Sequence, residues 1–336
     1  MAAAPSRVKR QAAFLLIILC SIGATPFEPA RGPAPTTPFW PAHRPARITP
    51  FGPAHRPAPT LSETAPAQGR TGTTPQRIVS LIPATTEMLF AMGAGDRLVG
   101  AGNFDRFPPE VDKLPRVGGL IDPDTERILA LRPDLVVVYN TQVDLKSRLD
   151  RAGVPYFSYE HRAMPDIMET IRALGSRIGA ASEAHRVATD MEQALGEVRR
   201  AVAGRPRPRT MLVFGRERGT LRGVYASGGY GFLADLLDVA GSDNVFGDIK
   251  QQSVQASTEM MLARRPDVIV ELRYGDDRRA VNVEQELEIW KSLPSLPAVR
   301  NRRLHLLVGD EFVVPGPRIV SAARRFARAL HPESFK

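Results

Sequence analysis

The stretch DPDTERILALRPDLVVV, beginning at Asp122, returns 133 positions later as QASTEMMLARRPDVIVE, beginning at Gln255. In register, Thr125 and Glu126 meet Thr258 and Glu259, and Leu129, Ala130, Arg132, Pro133 and Asp134 meet Leu262, Ala263, Arg265, Pro266 and Asp267. Each copy reads as a short helix, a Pro-Asp turn and a nearly continuous apolar strand, which suits a strand covered on both faces. The separation is too long for a solenoid period. A chain that carries this unit twice is expected to fold as two similar lobes.

The surroundings of each copy agree with that reading. RIVSL (77–81) is a strand, ATTEMLFAMGAG (84–95) a helix with Thr85 or Thr86 as its cap and Gly93 or Gly95 as its stop, and RLVGA the next strand. DLVVVY (134–139) and PYFSYE are further strands, separated by the helix VDLKSRLDRAG and followed by the helix MPDIMETIRALGSRIG. Such alternation predicts an α/β lobe with a mainly parallel sheet. The strands then stop. In residues 181–204, Val187, Met191, Ala194, Leu195 and Val198 fall at helical spacing, which predicts one helix of about 22 residues, roughly 33 Å long. Alternation resumes with TMLVFG (210–215), GYGFLADLLDVAG (229–241), DVIVEL (267–272) and RLHLL (303–307), and GPRIVSAARRFARAL (316–330) closes the chain as an amphipathic helix. The predicted fold is α/β: two Rossmann-like lobes, 76–178 and 208–336, joined through 179–207 by one long helix.

The N-terminal part is of another kind. Arg7, Lys9 and Arg10 precede the apolar run AAFLLIILCSIGA, so residues 1–24 read as a signal peptide. The run is short beside the roughly 20 residues of a membrane span. Cys20 is the only cysteine, which excludes an intrachain disulfide and a cysteine metal cluster. It stands where an exported lipoprotein would carry its lipid, but Leu19 precedes it where such proteins place Gly, Ala or Ser. The expected mature protein is soluble and unanchored, with a lipid at Cys20 as the alternative. Residues 25–75 hold 13 prolines and repeat TPFWPAHRPA as TPFGPAHRPA, each copy with one histidine, His43 and His55. This is the composition of an extended, disordered tether.

Charge excludes one class of function. The net +9 divides into +6 over residues 1–75 and +3 over the remainder. The folded part is therefore near balance and no nucleic-acid partner is expected. No G-x-S-x-G elbow, phosphate-binding G-x-x-x-x-G-K-[ST] loop or H-E-x-x-H pair is present, so no enzyme, resident cofactor or metal centre is expected.

RIVSLIPATTEMLFAMGAGDRLVG, FDRFPPEVDKLPRVGG, TERILALRPDLVVVY, GGYGFLADLLDVAGSDNVF and PGPRIVSAARRFARAL together resemble the helical-backbone periplasmic binding proteins. These serve ABC importers for vitamin B12, iron siderophores and haem, and the pattern is most like the cobalamin-binding branch. The resemblance runs from about Arg77 to His331. It implies a class III periplasmic binding protein fold, a ligand held between the lobes, modest closure on binding, periplasmic location and a monomer docking on a permease dimer. It also implies that Glu126 and Glu259, one on each lobe, meet arginines of that permease. Two like carboxylates suit a two-fold partner. Both lie in the first turn of a helix, where a carboxylate also favours the helix dipole.

For the ligand cleft the resemblance nominates Pro83, Ala84, Phe104, Phe107, Tyr139 and Asn140 from the first lobe, and Arg216, Arg218, Tyr225, Tyr274 and Phe312 from the second. Aromatic side chains suit a large planar macrocycle. The cobalamin binders carry tryptophans where this chain has Ser253 and Glu311, which leaves other ligands open. Haem would call on an axial ligand such as Tyr139, Tyr225 or Tyr274; histidines His161, His185, His305 and His331 are scattered in sequence. An anionic ferric siderophore would call on Arg216, Arg218 and Arg273. An exported ligand sensor with no transport role is a further alternative.

Overall fold

The computed structural model describes residues 74–160, 163–275 and 281–335. The signal-like segment with Cys20, the proline-rich stretch up to residue 73 with His43 and His55, and His161 lie outside the described residues. Among the described residues no helix is long and apolar enough to cross a membrane.

In the first lobe, β1 (Ile78–Ser80), β2 (Leu98–Ala101), β3 (Leu135–Tyr139) and β4 (Tyr156–Tyr159) form a sheet of order β2-β1-β3-β4, parallel throughout. The helices α1 (Pro83–Ala91), α2 (Thr125–Ala130), α3 (Val143–Arg151) and α4 (Met164–Arg177) alternate with the strands or follow them. α1 begins earlier than the sequence reading. Pro83 takes a first-turn position, where its missing N–H is no loss, and Ile82 precedes it without a side-chain cap. Thr85 already lies inside the helix, and its hydroxyl donates back to the Ile82 carbonyl at 3.0 Å. Gly93, with φ +75°, supplies the left-handed turn that ends α1.

The strandless stretch is α5 (Ala181–Val202), a single helix of 22 residues. Beyond it, β5 (Arg209–Gly215), β6 (Tyr225–Ser227), β7 (Asp243–Asn244), β8 (Ser253–Gln255), β9 (Val268–Arg273) and β10 (Leu304–Val308) build the second sheet, in the order β10-β9-β5-β6-β8 with β7 beside β5. β5, β9 and β10 are parallel, whereas β6 and β8 are antiparallel and form the other side of the sheet. The helices here are α6 (Phe232–Val239), α7 (Thr258–Arg264), α8 (Val283–Glu288), α9 (Pro297–Arg300) and α10 (Ile319–Leu330). The antiparallel strands have three residues each, too few to show a period in the sequence.

The repeated unit closes on itself in the same way in both lobes. Asp134 accepts the backbone N–H groups of Gln76 and Arg77 at 2.7 and 2.8 Å, and Asp267 accepts that of Arg209 at 3.2 Å. Arg77 returns a bond to the Leu131 carbonyl at 2.7 Å, and Arg209 one to the Arg264 carbonyl at 2.7 Å. Each clasp ties the turn after a helix to the start of the neighbouring strand. Arg132 and Arg265, at the matching helix ends, both take left-handed backbone, with φ 46° and 47°.

One apolar core spans the lobes. It contains Ile78, Met88 and Val136 of the first, Val187, Met191, Leu195 and Val198 of α5, and Leu212, Phe214, Val270 and Phe326 of the second. Alternation along β5 sends Leu212 and Phe214 to this core and Met211 and Val213 to a smaller one around Trp290.

Candidate functional site

In a parallel sheet the loops beyond the carboxyl ends of the strands hold ligands, best where successive connections diverge. In the first lobe the chain leaves β1 outward to β2, then returns past it to β3 and continues outward to β4, so the divergence lies between β1 and β3. Pro83 and Ala84 follow β1, Tyr139 ends β3 and Asn140 follows it. The structure brings these four sequence-nominated residues to one crevice edge. Tyr139 is buried edge-on against Tyr159, with ring centroids 5.6 Å apart. Asn140 donates its N–H to the Tyr159 carbonyl at 2.8 Å and accepts from Lys146 at 2.7 Å, while its side-chain oxygen is enclosed without a described hydrogen-bond partner. Phe104 and Phe107 belong to the loop after β2; Phe104 is partly buried, and Phe107 is 42 % exposed.

The second-lobe nominees also gather at strand ends. Arg216 follows β5, Tyr225 pairs with Gly215 across the antiparallel step, and Tyr274 follows β9. Burial pushes the Tyr274 hydroxyl up, well beyond neutral pH. Phe312 is fully buried, edge-on to Phe326 at 5.5 Å and under Arg325 at 4.6 Å, so this nominated residue belongs to the apolar core and presents no surface to a ligand. Arg218 is exposed.

Arg216 is not a free cation. Its side chain is enclosed and lies 3.0 Å from Glu271 and 2.7 Å from Glu286. Arg273 completes the group, 2.5 Å from Glu271 and 2.7 Å from Glu286. The Trp290 indole N–H donates to Glu271 at 2.9 Å. Burial alone would raise the Glu286 carboxyl, but the hydrogen bonds and charges of Arg273 and Arg216 hold it below the usual range. A glutamate inside the apolar strand VIVELR was the signal for this cluster, because a buried carboxylate requires a cation.

Three further residues escaped the sequence reading. Glu87, buried in α1, takes two hydrogen bonds from Arg318, at 2.9 and 2.6 Å. Burial nevertheless raises its carboxyl above the ordinary value. Arg318 also lies over the Phe107 ring at 4.3 Å and 3.6 Å from Glu311, which itself pairs with Arg325. Asp105 is only 1 % exposed, and neither of its carboxylate oxygens has a described hydrogen-bond partner. Burial pushes it up to about 7, with the neighbouring Thr86 hydroxyl and Arg116 pulling the other way. Among the described residues no group of three His, Cys, Asp or Glu side chains could hold a metal ion.

Glu126 and Glu259 stand exposed at equivalent places in α2 and α7. Neither is the cap of its helix. Asp124 accepts the Arg127 N–H at 3.0 Å, and Ser257 accepts the Met260 N–H at 3.2 Å. The backbone N–H of Glu259 and the Ser257 hydroxyl hold the Glu259 carboxyl below its usual range.

The chain is 28 % identical over 261 residues to the vitamin B12-binding protein of Pectobacterium carotovorum, covering 76 % of this chain and 88 % of that one. It is 27 % identical to an uncharacterized ABC transporter substrate-binding lipoprotein of Bacillus subtilis, over 78 % and 82 % of the two chains. The crystal structure of the periplasmic vitamin B12-binding protein of Vibrio cholerae shares the fold, with a TM-score of 0.64 at 23 % identity over 78 % of this chain and 99 % of that one. So does the periplasmic haem-binding protein of the same organism, with a TM-score of 0.67 at 19 % identity over 76 % and 99 %. Residues 78–309 match the family model described as periplasmic binding protein, and with two α/β lobes on one long helix the chain belongs to that family.

Proposed function

We propose that the protein is the exported substrate-binding protein of an ABC importer and that its cargo is a corrinoid of the vitamin B12 type. The observation that carries the transport reading is the family match over 78–309 together with an exposed glutamate at the same place on each lobe. Glu126 and Glu259 meet basic pockets of a permease dimer, and the ligand lies against the strand-end residues Pro83, Ala84, Phe104, Phe107, Tyr139, Asn140, Arg218, Tyr225 and Tyr274. Several of the matching relatives are named for vitamin B12.

The fate of the arginines favours a corrinoid over an anionic ferric chelate. Arg216 and Arg273 are occupied by Glu271 and Glu286, which leaves Arg218 as the exposed member of that trio. A neutral macrocycle rich in amides needs no cluster of free cations. Calorimetric titration with cyanocobalamin tests this. One-to-one binding in the sub-micromolar range is expected; no binding at tens of micromolar overturns the corrinoid assignment, and haem and ferric siderophores are then titrated in turn.

A further inference from the structure

A groove of about 470 Å³ runs between α1 and the Pro317–Arg318 turn. Its apolar wall is Phe90, Ala91, Phe107, Pro108 and Pro317. Of the residues nominated for the strand-end cleft only Phe107 reaches it. Four charged groups line it: Glu87, Arg318, Asp96 and Glu110. The first two cancel, because Arg318 is bound to both carboxylate oxygens of Glu87. Asp96 and Glu110 are left, and neither has a cationic partner among the described residues. The groove therefore combines an aromatic wall with two uncompensated negative charges.

Each class of small molecule meets this lining differently. An anion is repelled by the two carboxylates. A neutral apolar molecule covers Phe90 and Phe107 but gives the carboxylates nothing in return. A cation with an apolar body satisfies both, since the negative face of an aromatic ring also attracts positive charge. Phe107 already shows that preference: the Arg318 guanidinium lies 4.3 Å from its centroid while 42 % of the residue stays exposed. The volume falls within the roughly 300–1,000 Å³ of small-molecule sites.

We propose that this groove is a second ligand site, distinct from the strand-end cleft, and that it takes a small organic cation: a protonated amine, amidine or guanidine on an aromatic or short alkyl body. The apolar body lies on Phe90 and Phe107, and the charge meets Glu110 and Asp96. Because the groove is built from α1 and the Phe107–Glu110 loop on one side and Pro317–Arg318 on the other, its occupant braces the seam between the lobes.

Benzamidine, with benzamide and benzoate as its neutral and anionic counterparts, tests the proposal by calorimetry on the intact protein. Benzamidine binds, weakens as salt is raised, and exceeds benzamide by about tenfold; benzoate does not bind. Glu110→Gln and Asp96→Asn each lower benzamidine affinity by about two- to fivefold, the worth of an exposed ion pair, and the double variant keeps the wild-type melting temperature. Equal binding of benzamide and benzamidine, an unchanged affinity in the double variant, or no binding of benzamidine at millimolar concentration overturns it. Cyanocobalamin titrated against the double variant keeps the two readings separate: Asp96 and Glu110 are not among the residues proposed for the corrinoid, so its affinity is unchanged, whereas a loss would make the groove part of the strand-end cleft and overturn its being a second site.

Discussion

Glu87 of the first lobe and Arg318 of the second, 231 residues apart in the chain, meet through two hydrogen bonds of 2.6 and 2.9 Å. Glu87 is almost wholly buried and Arg318 largely so. Removing one partner of a buried pair strands the other. Arg318→Ala is expected to cost about 3 kcal/mol in urea unfolding, and Glu87→Gln, which keeps the shape and removes the charge, clearly less. A loss below about 0.5 kcal/mol for Arg318→Ala would assign the pair to the solvated surface instead.

Asp105 makes stability depend on pH in an unusual sense. Its folded value is raised to about 7 from 3.8, so the folded state binds this proton more tightly than the unfolded chain. The stabilisation is fully present below 3.8 and is lost progressively as pH rises to about 7. A shift of that size corresponds to roughly 4 kcal/mol. Asp105→Asn cannot ionise. Relative to wild type it should gain stability steadily between about pH 4 and 7 and hold a constant advantage above. Parallel pH profiles for the two proteins in urea titrations would contradict this assignment.

The two glutamates proposed for docking should separate transport from binding. Asp124 and Ser257 cap α2 and α7, so Glu126→Ala and Glu259→Ala leave the caps in place. Each should change stability by less than about 0.5 kcal/mol and leave ligand affinity unaltered, whereas Asp124→Ala or Ser257→Ala costs about 1 kcal/mol. Uptake in cells should fall with either glutamate variant and further with both. Full uptake by the double variant would remove the two residues from the docking surface.

The buried cluster in the second lobe should behave as one unit. Glu271→Gln leaves Arg216 and Arg273 sharing only Glu286 and takes the charged acceptor from the Trp290 indole. A loss of about 3 kcal/mol is expected, with a shift in Trp290 fluorescence. Glu286→Gln, at the partly exposed edge of the cluster, should cost less. If the two variants were equally mild, the cluster would contribute little to holding α8 on the sheet.

How much of this was legible in the sequence follows from the range of the interactions. The apolar runs of β3, β5 and β9 and the periodic spacing in α5 are local patterns, and they placed both lobes and the long helix. The repeat was also legible, and the purpose proposed for it rests on one glutamate in each copy. Asp134 and Asp267 recur for a structural reason as well, as clasps on the strands beginning near Arg77 and Arg209. Glu87–Arg318 was not legible, because no periodicity links residues so far apart. Among the nominated residues, Pro83, Ala84, Asn140, Arg216 and Tyr274 stand just beyond strand ends, a position that the apolar runs mark in the sequence, whereas the enclosure of Arg216 by two carboxylates is a long-range matter. What the sequence could not say is which arginine is buried: nothing in RER marks Arg216 as enclosed and Arg218 as exposed.

The core that runs without a break from β1 through α5 to α10 has a thermodynamic consequence. Two lobes with separate cores would melt as two calorimetric transitions. Here Phe214 and Phe326 share their apolar surroundings with Val187 and Met191, so neither lobe can lose its packing without exposing that of the other. Scanning calorimetry should record a single heat-absorption peak whose van't Hoff and calorimetric enthalpies agree. The duplicated segments of the sequence are two in topology and are expected to unfold as one.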